Sequence, residues 1–126
     1  MQYAILCYHD EAAVDGLSQE QDDALMADLA VVGEALVADG RLGPAARLMP
    51  TTAATTLRYG HETVVIDGPF AETKEVMLGL YVIDCGSLED AIGIARRLIE
   101  PRVKAGLTGV MEIRPVRLYR PDRRGA

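Results

Sequence analysis

The sequence has no tryptophan and only one phenylalanine, Phe70, so no aromatic cluster can build its interior. Ala, Val, Leu, Ile and Met must form the core, with the five tyrosines at its margins. Cysteine is scarce too. Cys7 and Cys85 both sit inside apolar runs and follow no CxxC or zinc spacing, which predicts buried, reduced thiols in a reducing cytoplasm. No apolar run approaches the ~20 residues a membrane span needs, and the opening MQYAILCYHDEAAVDG lacks the basic segment and long apolar stretch of a signal peptide. The expectation is a soluble, cytoplasmic protein with no membrane partner. Residues 1–40 contain no Lys or Arg and nine acids, while the remainder holds thirteen bases and ten acids, giving a net charge of −6. Such a protein is a poor nonspecific binder of nucleic acid. The arginines Arg114, Arg117, Arg120, Arg123 and Arg124 form too short a stretch for a basic arm. They are read as strand-face residues followed by a frayed end, pairing with the acidic first helix.

What is present reads as an α+β pattern. Residues 2–9 (QYAILCYH) are apolar on both alternations, as expected of a central strand followed by a polar turn. Ser18-x-x-Gln21 is a capping box, with Glu20, Asp22 and Asp23 in the first turn. Leu25, Leu29, Val32 and Leu36 then mark one helical face, ending near Asp39-Gly40. Pro44 and Pro50 exclude a long helix over 41–59. Short strands are expected near 45–49 and 55–59, with Gly60-His61 turning into 62–67 to complete a hairpin. Residues 76–84 (VMLGLYVID) are a second buried strand. Ser87 caps a helix expected to end near Ile99, Pro101 and Gly106 fall in a loop, and 110–119 closes as the last strand. The order β-α-β-hairpin-β-α-β is the split βαβ pattern of a ferredoxin-like α+β sandwich, with two helices on one face of an antiparallel sheet. Its other face would be apolar and uncovered, which predicts a homodimer of the dimeric α+β barrel type. A single domain is expected over residues 1–119, with a short flexible tail over 120–126.

The most distinctive stretch is Asp67-Gly68-Pro69-Phe70-Ala71-Glu72-Thr73-Lys74-Glu75, followed by Gly79 and Tyr81. With PTTAATTLR, the G-x-Y-x-I strand, LEDAI and EIRPV, it resembles the YCII-related superfamily, specifically its DGPF-domain branch, over nearly the whole chain. The resemblance implies a dimeric ferredoxin-like subunit with a small-molecule pocket between the sheet and neighbouring loops. Some relatives act on chlorinated or hydroxylated aromatic breakdown products, and the broader fold includes lactone isomerases. DGPF proteins are also encoded beside extracytoplasmic-function sigma factors, which implies a regulatory association. Relatives with chemistry are described as using a His–Asp pair, and the first helix here contains no His.

Asp67 is the first candidate for an acid/base role, since an aspartate shielded by Phe70 and an apolar strand could have a raised pKa. The competing reading is turn chemistry, because Asp, Gly and Pro at 67–69 are all turn formers. Glu72, Lys74 and Glu75 could orient a polar substrate or simply form weak ion pairs in an exposed loop. His9 shares a strand face with Cys7. Two ligands are too few for a metal site, so His9 is either a capped or surface histidine or a residue that positions a substrate. His61 is expected to be exposed in its turn. Tyr8 and Tyr81 are candidates to line a pocket or mark the core margin. No cofactor or metal is implied, and no P-loop, nucleophile elbow or dinucleotide fingerprint is present. Three readings remain open: a small-molecule site, catalytic or binding; a regulatory protein that docks onto a partner such as a sigma factor through its acidic helix and the DGPF loop; and a motif that only shapes the fold and the dimer interface.

Overall fold

The computed structural model describes residues 1–121. Strand β1 (Gln2–Asp10) leads into a short helix α1 (Glu11–Asp15), the long helix α2 (Gln19–Ala38) and strand β2 (Leu42–Arg47). A 3-10 turn at Thr51–Ala53 precedes the paired strands β3 (Thr55–Arg58) and β4 (Val64–Asp67). Strand β5 (Glu75–Asp84), helix α3 (Leu88–Lys104) and strand β6 (Gly109–Pro115) complete the order. The main sheet is antiparallel in the order β2-β5-β1-β6, and β3 pairs only with β4. Each strand–helix–strand passage skips one position, and a strand of the other passage fills the gap. That interleaving is the split βαβ, a ferredoxin-like α+β fold. The hairpin expected between its second and third strands is present, but it stands outside the main sheet.

Local signals fix the helices. Ser18 Oγ accepts from the Gln21 N–H at 3.1 Å, and the Gln21 side chain accepts from the Ser18 N–H at 2.9 Å, closing the capping box. Ser87 caps α3 through the Asp90 N–H at 3.2 Å. Tyr3, Ile5, Cys7, Leu36, Ile83, Ala91, Ile94, Ala95 and Leu98 form the core between the sheet and the two long helices. On the other face of the sheet Ala4, Leu6, Tyr8, Leu80 and Val82 are half-buried and apolar.

Several expectations need correction. Residues 11–15, read as a turn, form α1 because Asp10 accepts from the Ala12 N–H at 3.1 Å and so caps it. The molecule therefore has three helices among the described residues, not two. Helix α3 does not stop near Ile99 but continues through Pro101 to Lys104. Pro101 denies the Arg97 carbonyl its usual partner. However, Leu98 and Pro101 are both buried on the core face, and Ala105 N–H still reaches the Pro101 carbonyl at 3.0 Å. Tertiary packing outweighs propensity here. The second strand begins at Leu42, earlier than expected, and accommodates Pro44 because β2 is an edge strand whose register shifts between Leu42 and Ala45. The last strand ends at Pro115, short of Tyr119; the Val116 N–H still reaches the Gln2 carbonyl at 2.9 Å, and there β1, its only neighbour in the sheet, begins and offers no further partner. The expected partners of the acidic helix also differ. Arg47 reaches Asp22 at 2.7 Å and Lys104 reaches Asp28 at 3.3 Å, while Arg123, Arg124 and most of the expected tail lie outside the described residues.

Candidate functional site

A bulge in β5 opens the site. Cys7 faces Gly79 but Tyr8 faces Met77, so Leu78 is an extra residue that bends the strand. Gly79 suits this bend, because a Cβ there would lie 3.0 Å from the Ala46 carbonyl oxygen of β2 and press the two strands apart by a few tenths of an ångström. Beside it, between the sheet and α2, lies a cavity of about 350 Å³. Leu25, Met26, Leu29, Ala30 and Gly33 of α2 form one wall, and Leu42, Ala45, Leu78 and Gly79 form the sheet wall. The polar atoms are few: Cys7 and His9 from β1, Tyr81 from β5, Arg47 from β2 and Arg102 from the last turn of α3. A mostly apolar hollow with a few convergent polar groups, near the lower end of the roughly 300–1,000 Å³ range, is the usual form of a small-ligand site.

The two arginines differ sharply. Arg47 is neutralised by a two-pronged pair with Asp22, at 2.7 and 3.2 Å. Arg102 makes no ion pair among the described residues; its Nη2 donates to the Tyr81 hydroxyl at 2.8 Å and its Nη1 to the Leu98 carbonyl. Its guanidinium lies 5.6 Å from the centre of the Tyr81 ring, a cation–π contact. His9 is half-buried. Its Nδ1 is enclosed against Gly109 and finds no partner at hydrogen-bonding geometry. Burial lowers its pKa below the ordinary 6.5 and the Arg102 charge lowers it further, while the Thr108 backbone and Glu75 oppose the shift in part. The ring is therefore neutral at neutral pH. Burial pushes the Cys7 thiol up, against a smaller opposing effect of Arg102, so it remains protonated and a poor nucleophile. Cys7 and His9 do share the cavity wall, and no third His, Cys, Asp or Glu among the described residues joins them in a group that could hold a metal ion.

The other candidates are distributed elsewhere. Tyr81 lines the cavity, whereas Tyr8 follows Cys7 by one residue and so points to the opposite face of the sheet. Asp67 is exposed at the end of β4, paired across the hairpin with Thr55, and does not line the cavity. Gly68 adopts φ of 103°, which favours glycine; its N–H donates to the Ala54 carbonyl at 2.8 Å and its carbonyl accepts from Thr56 Oγ1 at 2.8 Å. Pro69 is half-buried, while Phe70, Glu72, Lys74 and Glu75 are exposed, Phe70 at 75%. His61 is exposed in its turn. The structure thus brings His9 and Tyr81 together, sets Glu75 near enough to His9 to act on its charge, and leaves Asp67 outside the cavity. Arg102 escaped the sequence reading because it follows a proline. The one available signal was that Leu98 and Arg102 are four apart on a continuing helix.

Fold and site together describe a ferredoxin-like α+β protein with a ligand-sized cavity beneath its long helix. The YCII-related domain matches residues 1–118, and the chain belongs to that family. It is also similar to a protein of Rhizobium meliloti (strain 1021) described as uncharacterized, with 52% identity over 122 residues, covering 96% of each chain. No helix among the described residues is long and apolar enough to cross a membrane.

Proposed function

We propose that this protein, a DGPF-branch member of its family by its Asp67–Glu75 segment, binds a small oxygenated organic molecule in the cavity beneath α2 and that His9 accepts a proton from it. The observation that carries this reading is His9 itself: an imidazole held neutral by burial and by the Arg102 charge, in the wall of a mostly apolar cavity. Tyr81 and Arg102 supply fixed donors beside it. The acid/base role falls to His9 rather than Asp67, because only His9 lines the cavity. The test is a thermal-shift screen against small aromatic and lactone metabolites, followed by turnover assays on hits. A ligand at a hundredfold excess over Kd stabilises the native state by about 2.7 kcal/mol. His9→Gln is expected to lower turnover by roughly 10²–10⁴-fold, with Asp67→Asn behaving like the wild type. Full turnover in a folded His9→Gln protein would refute the role.

The apolar open face of the sheet supports a homodimer, covering Leu6, Leu80 and Val82 with a second copy. A second functional reading rests on a separate observation. The hairpin and following loop expose Leu57 at 58%, Tyr59 at 87% and Phe70 at 75%, a surface suited to docking on a partner protein such as a sigma factor in the cytoplasm. Binding of a purified sigma factor that is lost in Phe70→Ala but kept in His9→Gln would favour that reading.

A further inference from the structure

The chemistry of the cavity constrains its ligand more narrowly than its size does. Arg102 is half-buried and Arg47 exposed, and of the two only Arg47 has a carboxylate, that of Asp22; a partly desolvated cation favours a counter-charge. Arg102 contributes a positive charge with no acidic partner among the described residues. Glu75 affects His9 electrostatically but makes no ion pair with Arg102. Two of the five guanidinium N–H donors are used, on Tyr81 and Leu98, and no acceptor among the described residues takes the other three. The Tyr81 hydroxyl accepts from Arg102, so its own proton is free to be donated in the same place. His9 adds no second positive charge while it is neutral. Away from this cluster the wall is hydrocarbon: Leu25, Met26, Leu29, Ala30 and Leu42.

We propose that the cavity takes an amphiphilic monocarboxylate, its carboxylate held by the free guanidinium donors of Arg102 and the Tyr81 hydroxyl, its apolar body lying along α2. A planar guanidinium matches a carboxylate in two-pronged geometry. One uncompensated positive charge suits one negative charge, and a phosphate dianion would leave excess charge in an apolar hollow. The inference rests on the reading that this cavity is a ligand site, and it names the class of ligand.

Calorimetric titration of the full chain with 3-phenylpropanoate and its neutral amide, 3-phenylpropanamide, separates the two claims. The acid should bind at least about tenfold more tightly than the amide, as expected for one charge-assisted hydrogen-bonded pair. Arg102→Gln should erase that preference, lowering the affinity for the acid far more than that for the amide. Tyr81→Phe, which leaves the guanidinium in place, should reduce the preference several-fold, and it serves if Arg102→Gln fails to fold. Equal binding of acid and amide by the wild type, both blocked by Leu29→Trp, would overturn the carboxylate assignment while leaving the cavity as a ligand site. An acid preference that survives Arg102→Gln would overturn it equally. Binding of neither probe would count against both claims.

Discussion

Gly109 and His9 show how much one atom decides at the residue scale. A Cβ on Gly109 would collide with the Tyr8 carbonyl oxygen and sit 2.7 Å from His9 Nδ1, so Gly109→Ala must push β6 away from β1 or displace the imidazole. The expected cost is about 1–3 kcal/mol, measured by urea denaturation. Gly93 provides the contrast. It is exposed in the interior of α3, with nothing within 4 Å of the place a Cβ would take, and Gly93→Ala should stabilise by roughly 0.5–1 kcal/mol. His9 makes a separate prediction about pH. Its folded pKa lies below the ordinary 6.5, so the unfolded chain binds the proton more readily. Its contribution to stability is whole above 6.5 and declines as pH falls from there through the folded value. Denaturation midpoints between pH 7.5 and 5 should therefore drop more in the wild type than in His9→Gln. Equal slopes would mean that the imidazole is not held neutral.

Connections between elements carry the next set of effects. The capping box of α2 anchors the helix that forms one cavity wall, and Ser18→Ala should cost about 1 kcal/mol by removing the bond to the Gln21 N–H. Glu11, at the start of α1, accepts from both the Thr51 N–H at 2.8 Å and Thr51 Oγ1 at 2.6 Å. These two hydrogen bonds link α1 to the turn that precedes the hairpin. The Thr51 hydroxyl, with help from its N–H, holds the Glu11 carboxyl below its ordinary 4.5. The link is thus complete above 4.5 and lost as pH falls through the lowered value. Hydrogen exchange at the Thr51 amide should quicken over that acidic range in the wild type and be fast throughout in Glu11→Gln. Protection that persists in the variant would show that the link does not order the turn.

Over the whole molecule, the two faces of the sheet have different surroundings. Ile83 is buried against the helices and Leu80, on the same strand, is half-buried on the open face. Ile83→Ala removes core packing and should cost about 2–5 kcal/mol. Leu80→Glu puts a charge on the face assigned above to a second copy. Light scattering should show that variant as a monomer, with a cavity that still binds ligand. A wild type that is monomeric at high concentration would remove the reason for the apolar face as an interface.

The order of the strands and long helices and the caps at Ser18 and Ser87 were legible because they depend on local patterns, whereas α1 and its Asp10 cap were not. Two-sided apolar strands, a four-three-four stripe on α2 and Ser-x-x-Gln are short-range statements about burial and backbone bonds. The family resemblance was equally plain in Asp67–Glu75, yet this segment proved to be a turn and exposed loop at the edge of the hairpin. Function was less legible, since it depends on residues far apart in the chain. Cys7 and His9 share a strand face by simple alternation, but nothing local brings Tyr81 and Arg102 to them. That meeting requires β5 to lie beside β1, and α3 to run through Pro101 far enough to carry Arg102 over the Tyr81 ring. Sequence alone determined the order of the strands and of the two long helices. Only tertiary packing, strong enough to offset a proline's missing hydrogen bond, decided which polar groups meet in the cavity.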